Sequence, residues 1–282
     1  MSNSYGRISF ARPSDSGGFF SNYFSVVSTI GVCMMKNLIP YVDCTNTWFN
    51  PTCDFKNDTV IDLSINPWDW WFVQSKEEGR KVIEVGLDRN GITHDPKLFP
   101  GHPNLPILRA IAKNFCKMQP HILDEEIVLY EEHIEGKTTL GILARGTEML
   151  ANHPEYPKAP AQAWPEIIKY CLDQNPDINN IFLVSDDRRI VESILSAYPQ
   201  TKYLETFFRS TDQTEEELAN KYSPWWLFSP NEDPNHRKRI GEESLIQTRL
   251  LSKCPYFVGS HSGMSNAVNF FRGVPFKANY LV

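Results

Sequence analysis

The feature that most narrows the possible folds is an alternation along the chain. Short apolar runs rich in β-branched and aromatic residues take turns with longer amphipathic runs. Parallel strands need a long crossover between them, usually a helix, so this alternation is the pattern of a parallel sheet covered by helices. Near the N-terminus, Ile8-Ser9-Phe10 reads as a strand and a Pro/Ser/Gly loop follows through Gly18. A long helix with Phe20, Phe24, Val27 and Met34 on one face then leads to a second strand at 38–42, completing one βαβ unit. Between residues 44 and 102 the pattern dissolves into an irregular stretch rich in Asn, Pro and Trp, including Asn66-Pro67-Trp68-Asp69-Trp70-Trp71-Phe72. A helix resumes at 106–118 and ends at Pro120.

The second half is cleaner. Strands are expected at 139–144, 181–184, 202–204, 256–259 and 276–280, and helices at 165–171, 188–197, 241–251 and 264–271. A long loop carrying Trp225 and Trp226 separates the third of these strands from the next helix. The polar segment 131–137 is the expected boundary between an N-terminal Rossmann-like domain, 1–135, and a C-terminal one, 136–282. A chain of 282 residues accommodates two such domains, and the cleft between them is the default ligand site.

Composition removes several function classes. With 28 Lys+Arg against 34 Asp+Glu, the net charge of −6 argues against a nucleic-acid binder, which would carry a basic face. The uncharged stretch 16–35 is long enough to cross a bilayer, but Ser21, Asn22, Ser25, Ser28 and Thr29 interrupt it, as in a helix of a soluble core. Arg7, Arg12 and Asp15 precede it, which does not fit a secretory leader. The six cysteines are scattered without a C-x-x-C pair, so reduced thiols and a cytoplasmic location are expected rather than disulfides or a zinc site.

Three segments could carry chemistry. In Leu140-Gly141-Ile142-Leu143-Ala144-Arg145-Gly146-Thr147-Glu148 an apolar strand ends on an arginine and Gly146 lets the backbone turn. The guanidinium and the Thr147 hydroxyl then project from the carboxyl edge of the sheet, where open α/β folds bind ligands. A planar, permanently charged fork suits a diphosphate; the plainer alternative is an ion pair with a surface acid. In Ile181-Phe182-Leu183-Val184-Ser185-Asp186-Asp187 a strand runs into two acids and a helix. Either acid could cap that helix, and the other could accept hydrogen bonds from a base or ribose. Asp-Asp-Arg is not a D-x-D clamp, and no pair of acids is placed for a divalent ion, so no metal is expected.

The third segment runs from Cys254 to Asn266. A strand ends at Gly259, and Ser260-His261-Ser262-Gly263-Met264-Ser265-Asn266 leads into a helix, leaving amides and hydroxyls at its positive end. The alternative is a structural turn with helix caps. Gly259 to Gly263 mimics a nucleophile elbow, but His261 stands where the serine is required, which disfavours a hydrolase. The run Asn235-His236-Arg237-Lys238-Arg239 reads as a solvated surface and the Trp clusters as core.

In this order and spacing the three segments resemble the three motifs of the fucosyltransferase superfamily with GT-B architecture, which includes α-1,6- and α-1,2-fucosyltransferases and protein O-fucosyltransferases. Gly17-Gly18-Phe19-Phe20-Ser21-Asn22 is similar to that superfamily's N-terminal Gly-x-Phe-Gly-Asn-type turn, so the likeness reaches from near residue 7 to near residue 280. It implies an α/β, GT-B-like fold, two Rossmann-like domains whose mostly parallel sheets face a central cleft. It also implies an inverting, metal-independent transfer from a nucleotide-sugar donor, usually GDP-fucose, to a glycan acceptor, with no further cofactor. Arg145 matches the arginine that holds the donor diphosphate, with Gly146 and Thr147 beside it, and Asp186 or Asp187 matches the acid near the nucleoside. Ser260, His261, Ser262, Gly263, Ser265 and Asn266 match the phosphate-facing turn, and Gly18 and Asn22 the N-terminal donor-side turn. Glu148 is the candidate general base, with His261 behind it, because both flank the expected phosphate position.

The family's first motif commonly reads His-x-Arg-Arg or His-x-Arg-x-Gly. Here Leu143 takes the histidine position and Gly146 the second arginine position, and Arg-Gly-Thr-Glu resembles an Arg-Gly-Thr-Asp variant of bacterial polysaccharide-synthesis relatives. A nucleotide-sugar or glycan-binding protein without turnover is the alternative that the missing histidine keeps open.

Overall fold

The computed structural model describes residues 4–13, 18–54, 57–74, 79–87, 104–145, 159–204 and 235–282. The chain forms two compact units, Met1–Leu123 with Phe228–Glu242, and Asp124–Leu227 with Glu243–Val282.

In the first unit β1 (Ser4–Ser9) leads through α1 (Phe19–Met35) to β2 (Ile39–Asp43). A small antiparallel pair, β3 (Cys53–Asp54) with β4 (Thr59–Val60), and the short α2 (Trp68–Trp71) follow, then β5 (Lys81–Gly86) and α3 (Leu105–Phe115). The sheet order is β2-β1-β5, with both pairings parallel. Helix α1 packs closely on this sheet because Gly6 has no side chain: a Cβ there would lie 2.7 Å from Cys33 Sγ. Phe20, Tyr23 and Phe24 are buried on the inner face of α1 with Val27, while Met34 is exposed. The Tyr23 ring stacks on Trp68, and Phe49 meets Trp71 edge to face, so this Trp cluster is core, as expected. Trp225 and Trp226 lie outside the described residues.

Helix α4 (Pro120–His133) leads into the second unit, which continues with β6 (Thr139–Ala144), a single 3₁₀ turn (Ala161–Ala163) and α5 (Trp164–Gln174). Then come β7 (Asn180–Ser185), α6 (Arg188–Ala197), β8 (Lys202–Tyr203), α7 (His236–Lys253), β9 (Tyr256–Gly259), α8 (Gly263–Phe271) and β10 (Ala278–Leu281). Five parallel strands run in the order β10-β9-β6-β7-β8. The strand period of two decides which layer each residue meets. Leu140, Ile142 and Ala144 join Trp164, Ile168, Ile190 and Ile194 in one core. On the opposite face Gly141 admits Cys254, whose Sγ would sit 3.0 Å from a Cβ at that position. Full burial of a side chain such as Leu140 on one face or Leu143 on the other contributes about 1.5–3 kcal/mol, so the sheet is anchored on both faces.

Several expectations need correcting. β5 lies inside the segment expected to be irregular; four of its first residues are exposed, so it shows no buried-strand run. Pro120 opens a helix rather than marking an end, since a first-turn proline gives up an amide that has no intrahelical partner. The polar segment 131–137 is therefore the end of α4 and a turn at Gly136, whose φ is 72°, and the division between units falls earlier than 135/136. Helix α7 begins at His236, not 241. His236 and Arg237 are buried rather than solvated, and Arg237 Nη1 donates to the carbonyls of Trp48, at 3.2 Å, and Asn50. All six cysteines are buried thiols, and burial pushes Cys116 and Cys254 up to about 12. Among the described residues no helix is long and apolar enough to cross a membrane.

Candidate functional site

The order of the second sheet creates a switch point between β6 and β9. From β6 the chain proceeds to β7 and β8 on one side, while β9 and β10 are added on the other. In open α/β sheets the carboxyl edge at such a point is where ligands bind. In register, Leu143 pairs with Gly259 and Ala144 with Ser185, so Arg145, Ser260 and Asp186 leave three adjacent strands at one level.

These three residues meet. The Ser260 amide donates to the Leu143 carbonyl at 2.9 Å, and the Arg145 amide donates to Ser260 Oγ at 3.2 Å. Arg145 Nε lies 3.2 Å from Asp186 Oδ2, and each of these side chains keeps 23% of its surface exposed. Ser260 is buried. Gly259 makes the close approach possible, because a Cβ there would lie 2.7 Å from Phe257 Cζ and 3.3 Å from Leu143 Cβ.

The neighbouring acid does something else. Asp187 is the N-cap of α6 and accepts from the Arg189 amide at 2.9 Å. It also takes the Arg189 guanidinium through Nη2 at 2.8 Å and Nε at 3.1 Å, and only 1% of Asp187 is exposed. Its own amide donates to Ser185 Oγ at 3.1 Å. Asp187 thus builds the helix start, and Asp186 is the acid at the sheet edge.

At the start of α8, Ser262 and Ser265 form a reciprocal capping box. The Ser265 amide donates to Ser262 Oγ at 3.1 Å and the Ser262 amide donates to Ser265 Oγ at 2.9 Å. Those hydroxyls serve the helix start, and the Asn266 amide is bonded to the Ser262 carbonyl at 3.1 Å. Gly263 is exposed at the first helical position, and His261 and Asn266 are half-buried. The turn beside Arg145 is therefore a rigid helix N-terminus, its positive dipole end next to a fixed cation.

Gly146, Thr147 and Glu148 lie outside the described residues. Gly18 and Asn22 belong to the first unit, where Gly18 is the extended N-cap of α1 and its carbonyl accepts from the Asn22 amide at 3.1 Å. The same unit holds an ionic cluster that the sequence reading missed. Arg7 Nε donates to Asp43 Oδ2 at 2.7 Å and Arg7 Nη1 to Glu84 Oε1 at 3.3 Å, while Ser9 Oγ donates to Glu84 Oε2 at 3.2 Å. Burial works against the Arg7 charge, but Asp43 and Glu84 outweigh it and raise its pKa. The signal available in the sequence was the spacing of Arg7 and Ser9, which a strand places on one face. No group of three or more His, Cys, Asp or Glu among the described residues is arranged to hold a metal ion.

No family model matches the chain, and no curated protein matches it. Solved structures do. The NodZ α-1,6-fucosyltransferase soaked with GDP-fucose is 12% identical, with 95% of this chain and 92% of that chain covered at a TM-score of 0.53. The NodZ enzyme co-crystallised with GDP is 13% identical, with the same coverage and TM-score. The fucosyltransferase NodZ from Bradyrhizobium is 12% identical over 94% of this chain and 92% of that one, also at 0.53. The chain shares its fold, a GT-B-like α/β architecture, with these fucosyltransferase structures. In this GT-B-like chain both larger sheets are wholly parallel, in keeping with the α/β expectation.

Proposed function

We propose that this chain is a glycosyltransferase of the fucosyltransferase type, moving a sugar from a nucleotide donor, GDP-fucose, to a glycan hydroxyl with inversion and without a metal. The observation that carries this reading is Arg145 at the switch point, fixed between Ser260 and Asp186 beside the N-terminus of α8. That the NodZ enzyme, of the same fold, was soaked with GDP-fucose and co-crystallised with GDP supports the choice of donor.

In the proposed reaction the acceptor oxygen attacks the anomeric carbon as its bond to the diphosphate oxygen breaks, through an oxocarbenium-like state. A single displacement on the far face inverts the configuration. The bonding pair leaves with the diphosphate, whose added charge is met by the Arg145 guanidinium and the positive end of α8 at Gly263 and Met264, already in place before bond breaking. The acceptor proton passes to a base, for which Glu148 is the candidate, with His261 next in line.

Thermal shift with GDP, UDP, CDP and ADP, with and without EDTA, tests the donor. A nucleotide at a hundred times its Kd stabilises the fold by about 2.7 kcal/mol, so the preferred base is the one with the largest shift. A GDP shift unchanged by EDTA is expected; a preference for another base, or dependence on manganese, overturns the reading. Arg145→Ala is expected to lower the transfer rate by about a hundredfold to a thousandfold, the usual effect of removing a preorganised donor to a developing anion. Leu143, wholly buried where the family commonly has histidine, favours a second reading, a binding protein without turnover. GDP binding with no fucose transferred to any acceptor would select it.

A further inference from the structure

We infer that Asp186 is a positioning residue, whose carboxylate holds the Nε edge of Arg145 so that the guanidinium is presented to the donor diphosphate. This rests on the proposed role of Arg145, and it assigns Asp186 a task other than contacting the nucleoside.

Three observations carry the assignment. The fold does not need Asp186 as a cap, because the adjacent Asp187 fills that role and is saturated by Arg189. The Asp186 contact instead crosses from the end of β7 to the end of β6, 3.2 Å from Arg145 Nε. The other end of Arg145 is fixed independently, its amide held by the buried Ser260 Oγ. Backbone and side chain are thus restrained from two different strands, as a preorganised group requires. Guanidinium is a planar, permanently charged fork, so a carboxylate fixed beside one edge orients it by charge.

The electrostatics make the arrangement informative. A carboxylate next to a diphosphate site repels the ligand, which lowers affinity unless it orients the cation that binds it. As a stabilising ion pair it is worth little, because both side chains are partly exposed and solvent screens them.

The test is a double-mutant cycle on the full chain, with GDP affinity measured by calorimetry in the wild type, Asp186→Ala, Arg145→Ala and the double variant. Asp186→Ala is expected to weaken GDP binding about tenfold, and the double variant to bind no more weakly than Arg145→Ala alone. Asp186→Glu, which keeps the carboxylate, should recover part of the loss, whereas Asp186→Asn, which keeps the size without the charge, should not. Unchanged melting temperature in the ligand-free Asp186→Ala protein supports positioning; a lowered melting temperature with unchanged GDP affinity overturns it. Additive losses in the double variant, the mark of direct nucleoside contact, overturn it as well, as does tighter GDP binding by Asp186→Ala. A wild type that binds no GDP removes the donor reading and this assignment with it, whereas additivity in a wild type that binds GDP removes the assignment alone.

Discussion

In the second unit, β6, β7 and β9 are buried at every position, whereas in the first unit β5 is exposed at five of its six residues and β1 carries the partly exposed Arg7. Both sheets are parallel, so hydrogen bonding is not what separates them. The difference lies in what each sheet can hold still. A strand packed on both faces has its carboxyl end fixed by the core behind it, and a side chain leaving that end inherits the fixed position. Arg145, Asp186 and Ser260 all emerge from strands of this kind.

Substitutions can break or sharpen this contrast. Phe182→Ala, at a wholly buried position of β7, is expected to cost about 3–5 kcal/mol, read from the denaturant midpoint. Gly259→Ala comes next, at about 1–3 kcal/mol, because the new methyl meets Phe257, which is itself buried and stacked on Phe276 with 5.4 Å between ring centres. It should also weaken GDP binding, since Ser260 is the following residue. Ile83→Ala on β5, at a position 38% exposed, should cost less than about 1 kcal/mol and leave nucleotide affinity unchanged. A cost for Ile83→Ala equal to that of Phe182→Ala would erase the distinction between the sheets.

The same contrast explains what could be read from the sequence. β6, β7 and β9 stand out because strands buried on two faces must be continuous apolar runs, and their ends gave Arg145, Asp186 and Ser260 directly. β5 was hidden because Lys81 and Glu84 break its run within an irregular stretch. α4 was hidden for a related reason: Ile122 is buried, but Ile127 and Val128 are exposed, so its apolar residues do not follow one face. Arg237 misled as part of a charged run, since its acceptors are the carbonyls of Trp48 and Asn50, far away in sequence. The division of labour between Asp186 and Asp187 was equally invisible. Both fit a strand-to-helix junction, and only the position of the cap, with Arg189 closing over Asp187, tells them apart.

Helix α7 has a consequence for the order in which the molecule is assembled. Its early residues belong with the first unit: the Trp71 indole donates to the Lys238 carbonyl at 3.0 Å, and the ring occupies the space that a side chain at Gly241 would need. On the ribosome these residues emerge only after β6, β7 and β8 have been synthesised. The N-terminal half therefore reaches its final packing late, waiting for a segment made after three of the five strands of the second sheet.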